Sequence, residues 1–364
     1  MRIAITHNFL DNIGGAEKVA LTLARELKGD LYSTNVNQEM IRKMGYEEKV
    51  HSIGKVPRNA PFRQQLTLLR FRYVKFKQKY NCFIFGGDWS MSCGVKNKPN
   101  IWYAHSPIRG IWDLYEHTRN KILPWYQRPF FDVWVKYNRY LNKKYVKEVN
   151  ILVCNSENVK KRIKKYLGRD ARVIHPPIDT NKYEYKKNGD YWLAVNRLIS
   201  HKRVELQLEA FSRLPNEKLI IVGSYEKAKQ FTKYKNKIEK MLPKNVTIIN
   251  HADDLKVKEL YANCKGFITT SEEEDFGMTP IEAMASGKPV IAPAEGGYLE
   301  TIIDKKTGRL IKNINVEKIV KAIIEINKNP QKYKLECQKQ AKKFDTKVFV
   351  KKIKEEIEKL TNDN

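Results

Sequence analysis

Two carboxylates eight positions apart, Glu274 and Glu282, flank a glycine and a proline in Glu274-Asp-Phe-Gly-Met-Thr-Pro-Ile-Glu282. The apolar run Gly266-Phe-Ile-Thr-Thr270 before them reads as a strand. Gly287-Lys-Pro289 closes a short helix after them, and Val290-Ile-Ala292 begins another strand. This pattern puts one acid on the loop leaving a strand and the other in the first turn of the next helix. A helix start offers free N–H groups and partial positive charge, which suit a phosphate, and carboxylates suit sugar hydroxyls. The combination describes a pocket for a nucleotide sugar. A plainer reading of the same residues stands beside it: Thr279-Pro-Ile-Glu282 fits a capping box with Pro280 at the first helical position, and Glu274 belongs to an acidic run, Glu272-Glu-Glu-Asp275.

Breaking a nucleotide-sugar bond leaves a diphosphate, whose developing charge must be neutralised. No Asp-x-Asp motif stands in a suitable place, so cationic side chains rather than a metal are expected to do this. Arg197 and Lys202, in Asn196-Arg-Leu-Ile-Ser-His-Lys202, follow the strand pattern Tyr191-Trp-Leu-Ala-Val195. Gly14-Gly15 follows the first strand pattern and opens a helix, so N–H groups there can face a diphosphate. His105 ends the strand pattern Ile101-Trp-Tyr-Ala104, and ligands of open α/β sheets collect at such strand ends. His7 and His175 read as structural.

From Glu274 to Gly297 the chain resembles the donor-site signature of glycosyltransferase family 4, a retaining family with the GT-B fold. The resemblance takes in the two glutamates, Gly287-Lys-Pro-Val290 and Gly296-Gly297. The spacing of Arg197 and Lys202 is similar to the family's pyrophosphate-binding pair. Arg203 stands where many members have glycine, and Lys202-Arg203-Val204 is nearer to GDP-mannose-dependent mannosyltransferases. His105-Ser-Pro-Ile-Arg109 with Trp112-Asp113 resembles a segment of GDP-mannose-using O-antigen mannosyltransferases. The resemblance implies that Glu274 binds donor-sugar hydroxyls and that the N–H groups of Phe276, Gly277 and Met278 meet phosphate or sugar. It also implies that Glu282 accepts from ribose hydroxyls, and that Gly14 and Gly15 match the donor loop. His105 would lie near the transferred sugar, donating to a hydroxyl or steadying the transition state, with no nucleophilic role. His105 and Glu274 are therefore the catalytic candidates, in a same-face attack assisted by the departing phosphate.

The elements that must position these residues alternate along the chain. Arg2–Thr6, Leu31–Thr34, Cys82–Phe85, Ile101–Ala104 and Ile151–Cys154 read as strands, with a helix from Ala16 to Leu27 and another capped by Ser156 and ended by Gly168. A second series runs through 191–195, 219–222, 246–249, 267–268 and 290–291. Such βα series build parallel sheets covered on both faces. The fold expected is α/β, of the GT-B kind, with two Rossmann-like doubly wound domains facing a central cleft. Residues 1–175 would be the acceptor domain and 176–345 the nucleotide-sugar domain. The amphipathic pattern of Thr346 to Leu360 would be a last helix crossing back to the first domain, a placement carried by the resemblance. The fingerprint G-x-G-x-x-G is absent after the first strand, which weakens a dehydrogenase reading.

The 364 residues carry a formal net charge of +28 with 41% hydrophobic residues. So large an excess points to an anionic partner, with lysine-rich composition as the plain alternative. Five cysteines show no metal-type spacing and fall mostly in apolar runs, as buried thiols of a reducing cytoplasm do. Met1–Thr6 enters a strand pattern directly, and no run is long enough to span a membrane. Residues Arg63 to Tyr80 and Trp125 to Lys147 interleave aromatics with Arg and Lys, which suits an anionic bilayer surface as well as it suits packed helices with solvated lysines.

The expectation is a metal-independent hexosyltransferase, without cofactor, at the inner face of the cell membrane. It would move mannose from GDP-mannose to a glycan or polyprenyl-phosphate-linked acceptor. Transfer from a UDP-sugar, a GT-B-fold sugar-nucleotide epimerase and a basic nucleic-acid binder are the alternatives; no nucleic-acid module motif is present. Base recognition is expected near Gly223-Ser224 and His251 to Leu255.

Overall fold

The structure, a computed structural model, describes residues 1–362 apart from 13, 44, 77, 226–231 and 251. His251, in the segment expected to read the base, lies outside the described residues. The chain divides into two compact units. One comprises Met1–Pro177 with Lys347–Asn364, and the other Ile178–Thr346.

In the first unit the strands are β1 (Ile3–Phe9), β2 (Asp30–Thr34), β3 (Val50–Ser52), β4 (Cys82–Phe85), β5 (Asn100–Ala104), β6 (Ile151–Cys154) and β7 (Arg172–Val173). They form a parallel sheet in the order β3-β2-β1-β4-β5-β6-β7. The order reverses between β1 and β4, where the crossovers diverge to opposite sides. The helices that matter below are α1 (Gly15–Leu27), α2 (Phe62–Arg72), α3 (Arg128–Val146) and α4 (Glu157–Leu167). As its sequence indicates, α4 begins where Ser156 Oγ accepts from the Val159 N–H and ends at Gly168 in the left-handed region. The short edge strand β3 lacks a readable pattern, because Val-His-Ser buries only its valine.

The second unit contains β8 (Tyr191–Val195), β9 (Lys218–Val222), β10 (Val246–Ile249), β11 (Gly266–Ile268), β12 (Val290–Pro293) and β13 (Gly308–Ile311). Its order is β10-β9-β8-β11-β12-β13, again parallel. The reversal falls between β8 and β11. Strands buried on both faces explain the nearly continuous apolar runs, such as Trp192-Leu-Ala194 and Val290-Ile-Ala292. Here lie α5 (Val204–Ser212) and α6 (Met278–Ala285). The terminal helix α7 (Thr346–Asn362) buries Phe349, Ile353, Ile357 and Leu360 in a cluster with Ile5, Ile84 and Tyr103 of the first unit. Its apolar stripe thus completes the core formed by residues more than two hundred positions earlier.

The expected capping box at Thr279 is not what starts α6. Gly277 is the N-cap, at φ +88°, and no side chain caps it. Thr279 therefore lies inside the helix, and Glu282 sits in the second turn rather than the first. The left-handed turn at Gly277 carries the chain into the helix two residues early, a course that a residue with a Cβ strongly resists. The five cysteines are all free and buried. Among the described residues no helix is long and apolar enough to cross a membrane.

Candidate active site

Because β8 and β11 are adjacent and parallel at the point of reversal, the loops leaving them, 196–203 and 269–277, emerge side by side. A crevice outside the strand ends at such a point is where open α/β sheets bind ligands. Here the two loops are sewn together. Thr270 Oγ1 donates to the Lys202 carbonyl at 2.7 Å, the Glu272 N–H donates to the His201 carbonyl at 2.8 Å, and Arg203 Nε donates to the Thr270 carbonyl at 2.7 Å. Gln207 of α5 holds Thr270 Oγ1 from the other side at 2.9 Å. Arg203 itself adopts the left-handed conformation, φ +49°, and its guanidinium pairs with Glu295.

The outcome is a contact between two of the residues singled out above: Lys202 Nζ donates to Glu274 Oε2 at 2.5 Å. Both side chains are largely buried. Burial pushes the Glu274 carboxyl upward, but the Lys202 ammonium, with help from Ser271 and the charge of His201, overcomes it and holds the pKa at about 2. Glu274 is therefore an anion throughout the physiological range. Arg197 lies exposed on the same loop, immediately after β8. Phe276 and Gly277 are buried and Met278 half-buried; together they lead into α6.

Glu274 is carried on backbone that glycines hold in place. A Cβ on Gly296 would meet the Glu274 carbonyl at 2.6 Å, and one on Gly297 would meet Phe276 Cα at 2.4 Å. The Gly297 N–H donates to the Glu274 carbonyl at 2.8 Å. Tyr298, buried under the same turn, bonds Thr269 at 2.8 Å and closes over Gly277. These backings for Glu274 were not read from the sequence, although the adjacent Gly296-Gly297 was the available signal.

Glu282 is placed differently. It is only 6% exposed, and its Oε2 accepts from Tyr261 Oη at 2.9 Å. Lys288 of the Gly-Lys-Pro run is buried entirely. Its ammonium donates to the Lys187 carbonyl at 2.5 Å and lies 4.2 Å from the centre of the Tyr185 ring, and burial lowers its pKa to about 8. That lysine ties down the chain segment 185–187 and so serves the framework.

In the first unit, the reversal between β1 and β4 brings the loop after β1 and the start of α1 to the strand ends. Gly14 and Gly15 are exposed there, as N-cap and first residue of α1. A side chain the sequence reading passed over occupies this helix start: the Gly14 N–H donates to Glu17 Oε2 at 2.8 Å, and Glu17 Oε1 lies 3.4 Å from His7 Nε2. Burial raises the Glu17 pKa, but the His7 hydrogen bond and charge and the local N–H groups leave it lowered overall. His105 stands at the end of β5 with its ring centre 6.3 Å from that of His7. Burial, with the His7 charge added, pushes its pKa down to about 3, and its buried Nε2 lacks a hydrogen-bond partner among the described residues. The ring is therefore neutral at physiological pH and suits a hydrogen bond rather than a positive charge. The rest of that segment is pinned into the framework: Arg109 pairs with Asp113 at 2.8 Å, and Trp112 Nε1 donates to Asn142 at 3.1 Å.

Two family descriptions divide the chain much as the structure does. Glycosyltransferase family 4 matches residues 13–182, and glycosyl transferases group 1 matches residues 177–344. The chain belongs to this glycosyltransferase family, and its two Rossmann-like units are those of the GT-B fold. Among curated relatives, the alpha-1,3/1,6-mannosyltransferase ALG2 of Dictyostelium discoideum is 25% identical over 393 residues, covering 91% of this chain and 90% of the relative. ALG2 of Candida glabrata is 24% identical over 296 residues, covering 66% of this chain and 63% of the relative; over that match the chain spans under two thirds of the relative's length. A crystal structure of Anabaena Alr3699/HepE in complex with UDP and glucose superposes with a TM-score of 0.77 at 16% identity, over 98% of this chain and 99% of that one. Sucrose-phosphate synthase from Thermosynechococcus elongatus gives the same TM-score and identity over 100% of both chains.

Proposed function

We propose that this glycosyltransferase moves a hexose, mannose from GDP-mannose, to a glycan or polyprenyl-phosphate-linked saccharide at the inner face of the cell membrane, with retention of configuration and without a metal. The observation that carries the reading is the Lys202–Glu274 pair on two loops stitched together at the strand reversal. In it, a cation suited to a departing diphosphate is held against an anion suited to sugar hydroxyls. Arg197 adds a second cation on the same loop. Glu274, ionised at any working pH, accepts from the donor hexose. Gly277 and the first N–H groups of α6 meet phosphate or sugar. Neutral His105 offers a hydrogen bond to the transferred sugar, with Gly14 and Gly15 near the diphosphate. Glu282 completes the nucleoside side by accepting from ribose. The mannose assignment is supported by the ALG2 relatives, and a UDP-sugar donor is the alternative.

A melting-temperature screen tests this. A ligand that binds only the folded chain raises its melting temperature by mass action. GDP and GDP-mannose should raise it without added divalent cation and in the presence of EDTA, and Lys202→Ala should remove the rise. A rise with UDP and not GDP would move the assignment to a UDP-sugar; no rise with any nucleotide would sink the reading. Incubation of the donor alone separates transfer from epimerisation, which needs no acceptor.

A further inference from the structure

We propose that the outward faces of α2 and α3 form one docking surface for an anionic lipid bilayer. The helix α3 carries large apolar residues on both of its faces. Its inner face buries Val135, Asn138, Leu141, Asn142, Tyr145 and Val146, two of them asparagines. Its solvent face, at helical spacing, presents Phe130, Val133, Tyr137 and Tyr140, continuing the exposed Trp125 and Tyr126 of the preceding turn. Phe130 is 80% exposed and Trp125 78%. Next to it, α2 does the same with Phe62, Leu66 and Leu69, and with Tyr73 just beyond its end. Gln65 Nε2 donates to Asn138 Oδ1 at 2.8 Å, which joins the two helices. A monomer rarely leaves so many large apolar side chains together in water without a partner for them.

Charge decides which partner. The exposed stripe of α3 continues into Lys136, Lys143, Lys144 and Lys147 without an acid, and from Lys49 to Gly87 the chain contains neither Asp nor Glu. Asp132, the one acid of α3, is already taken by Arg119 and Tyr115. Apolar aromatics flanked by unopposed lysines match the boundary of an anionic bilayer, where rings enter the headgroup layer and ammonium groups meet lipid phosphates. The same lysines argue against a second copy of this face, since like charges would oppose one another. A lipid-linked acceptor would give the surface its use, but the surface does not depend on the donor assignment.

Sedimentation with vesicles of phosphatidylcholine, alone or mixed with phosphatidylglycerol, tests this without donor or acceptor. The whole protein should bind the mixed vesicles, release as salt rises, and ignore phosphatidylcholine alone. Phe130→Glu with Tyr137→Glu should lower binding at least about tenfold, and each of Lys136→Gln, Lys143→Gln and Lys144→Gln by roughly fivefold. Leu335→Glu, an exposed leucine of the other unit, should change nothing. These side chains are exposed, so far-UV circular dichroism and the thermal melt should stay as in the wild type. Failure to bind anionic vesicles, or equal binding by the double variant, overturns the proposal. So does a lipid-free dimer, seen in sedimentation velocity, that Phe130→Glu dissolves, which would make the face a self-association surface. A failed nucleotide screen would leave this result standing, and the reverse holds too.

Discussion

Lys202 and Glu274 are bonded to each other, so a change in either alters the charge the other presents. This separates two phenotypes that a simple count of site residues would merge. Lys202→Ala removes the cation proposed to face a diphosphate, and nucleoside diphosphate affinity should fall at least about tenfold, as expected for one lost charge-assisted contact. Glu274→Ala releases that cation, so the same affinity should be unchanged or tighter, while transfer falls about 100-fold or more. Isothermal titration together with a transfer assay reads both; parallel losses in both variants would contradict the division of labour. The pH dependence follows from the same pair. The folded pKa of Glu274, about 2, lies below the ordinary value of 4.5 for a glutamate carboxyl. The stabilisation from the pair is therefore complete above about pH 4.5 and is lost as pH falls through the folded value. In Lys202→Met the ammonium is gone and burial raises the carboxyl instead, so activity remaining in that variant should acquire an acid limb near or above the ordinary carboxylate range. A pH–rate profile identical to that of the wild type would refute the assignment.

The elements supply what those residues need, a fixed backbone on which a buried charge pair stays in register. The turn at Gly296-Gly297 is packed directly on the backbone of residues 274–276, with no room for a methyl group at Gly297. Gly297→Ala should therefore force the two turns apart, at a cost of about 1–3 kcal/mol, and should lower transfer even though Glu274 and Lys202 are both present. Gly14→Ala is the contrast. Its Cβ would meet only the movable Glu17 carboxylate, at 3.1 Å, so the melt should stay within about 0.5 kcal/mol of the wild type. Denaturant unfolding of the two variants checks the pair. These turns also show where the sequence was readable. Strands such as Cys82–Phe85 and Tyr191–Val195 announce themselves because burial on both faces demands unbroken apolar runs. The loops after β8 and β11 could be marked as chemical because their charges have no place in a core. The start of α6 was misread because Thr-Pro-Ile-Glu satisfies a capping box locally, whereas the left-handed Gly277, braced by Tyr298 from twenty-one residues away, decides where the helix begins. Glu17 was missed for a related reason: its partner His7 is ten residues distant and belongs to a strand, so the contact exists only once the sheet has formed.

At the scale of the molecule, the chain leaves its first unit at Pro177 and returns to it at Lys347. The core beneath β1, β4 and β5 is thus completed by α7, far along the chain from those strands. Phe349, Ile353, Ile357 and Leu360 each bury a full apolar side chain, worth about 1.5–3 kcal/mol apiece as an upper range. The Phe349 ring stands edge-on to Tyr103, 5.6 Å between centres, and Arg172 pairs with Glu356 beside it. Tyr103 in turn immediately precedes the last residue of the strand that presents His105. A defect in α7 is therefore a defect under the strand that presents His105. Ile353→Ala removes a fully buried side chain and should cost about 2–5 kcal/mol, a large share of the stability of an ordinary domain. Amide hydrogen exchange locates the effect. Protection should fall in β1, β4 and β5 and hold in β8, β11 and β12, and the nucleotide-induced rise in melting temperature, which depends on Lys202, should persist. Equal loss of protection in both sheets would mean that the helix supports the whole chain rather than the unit it completes.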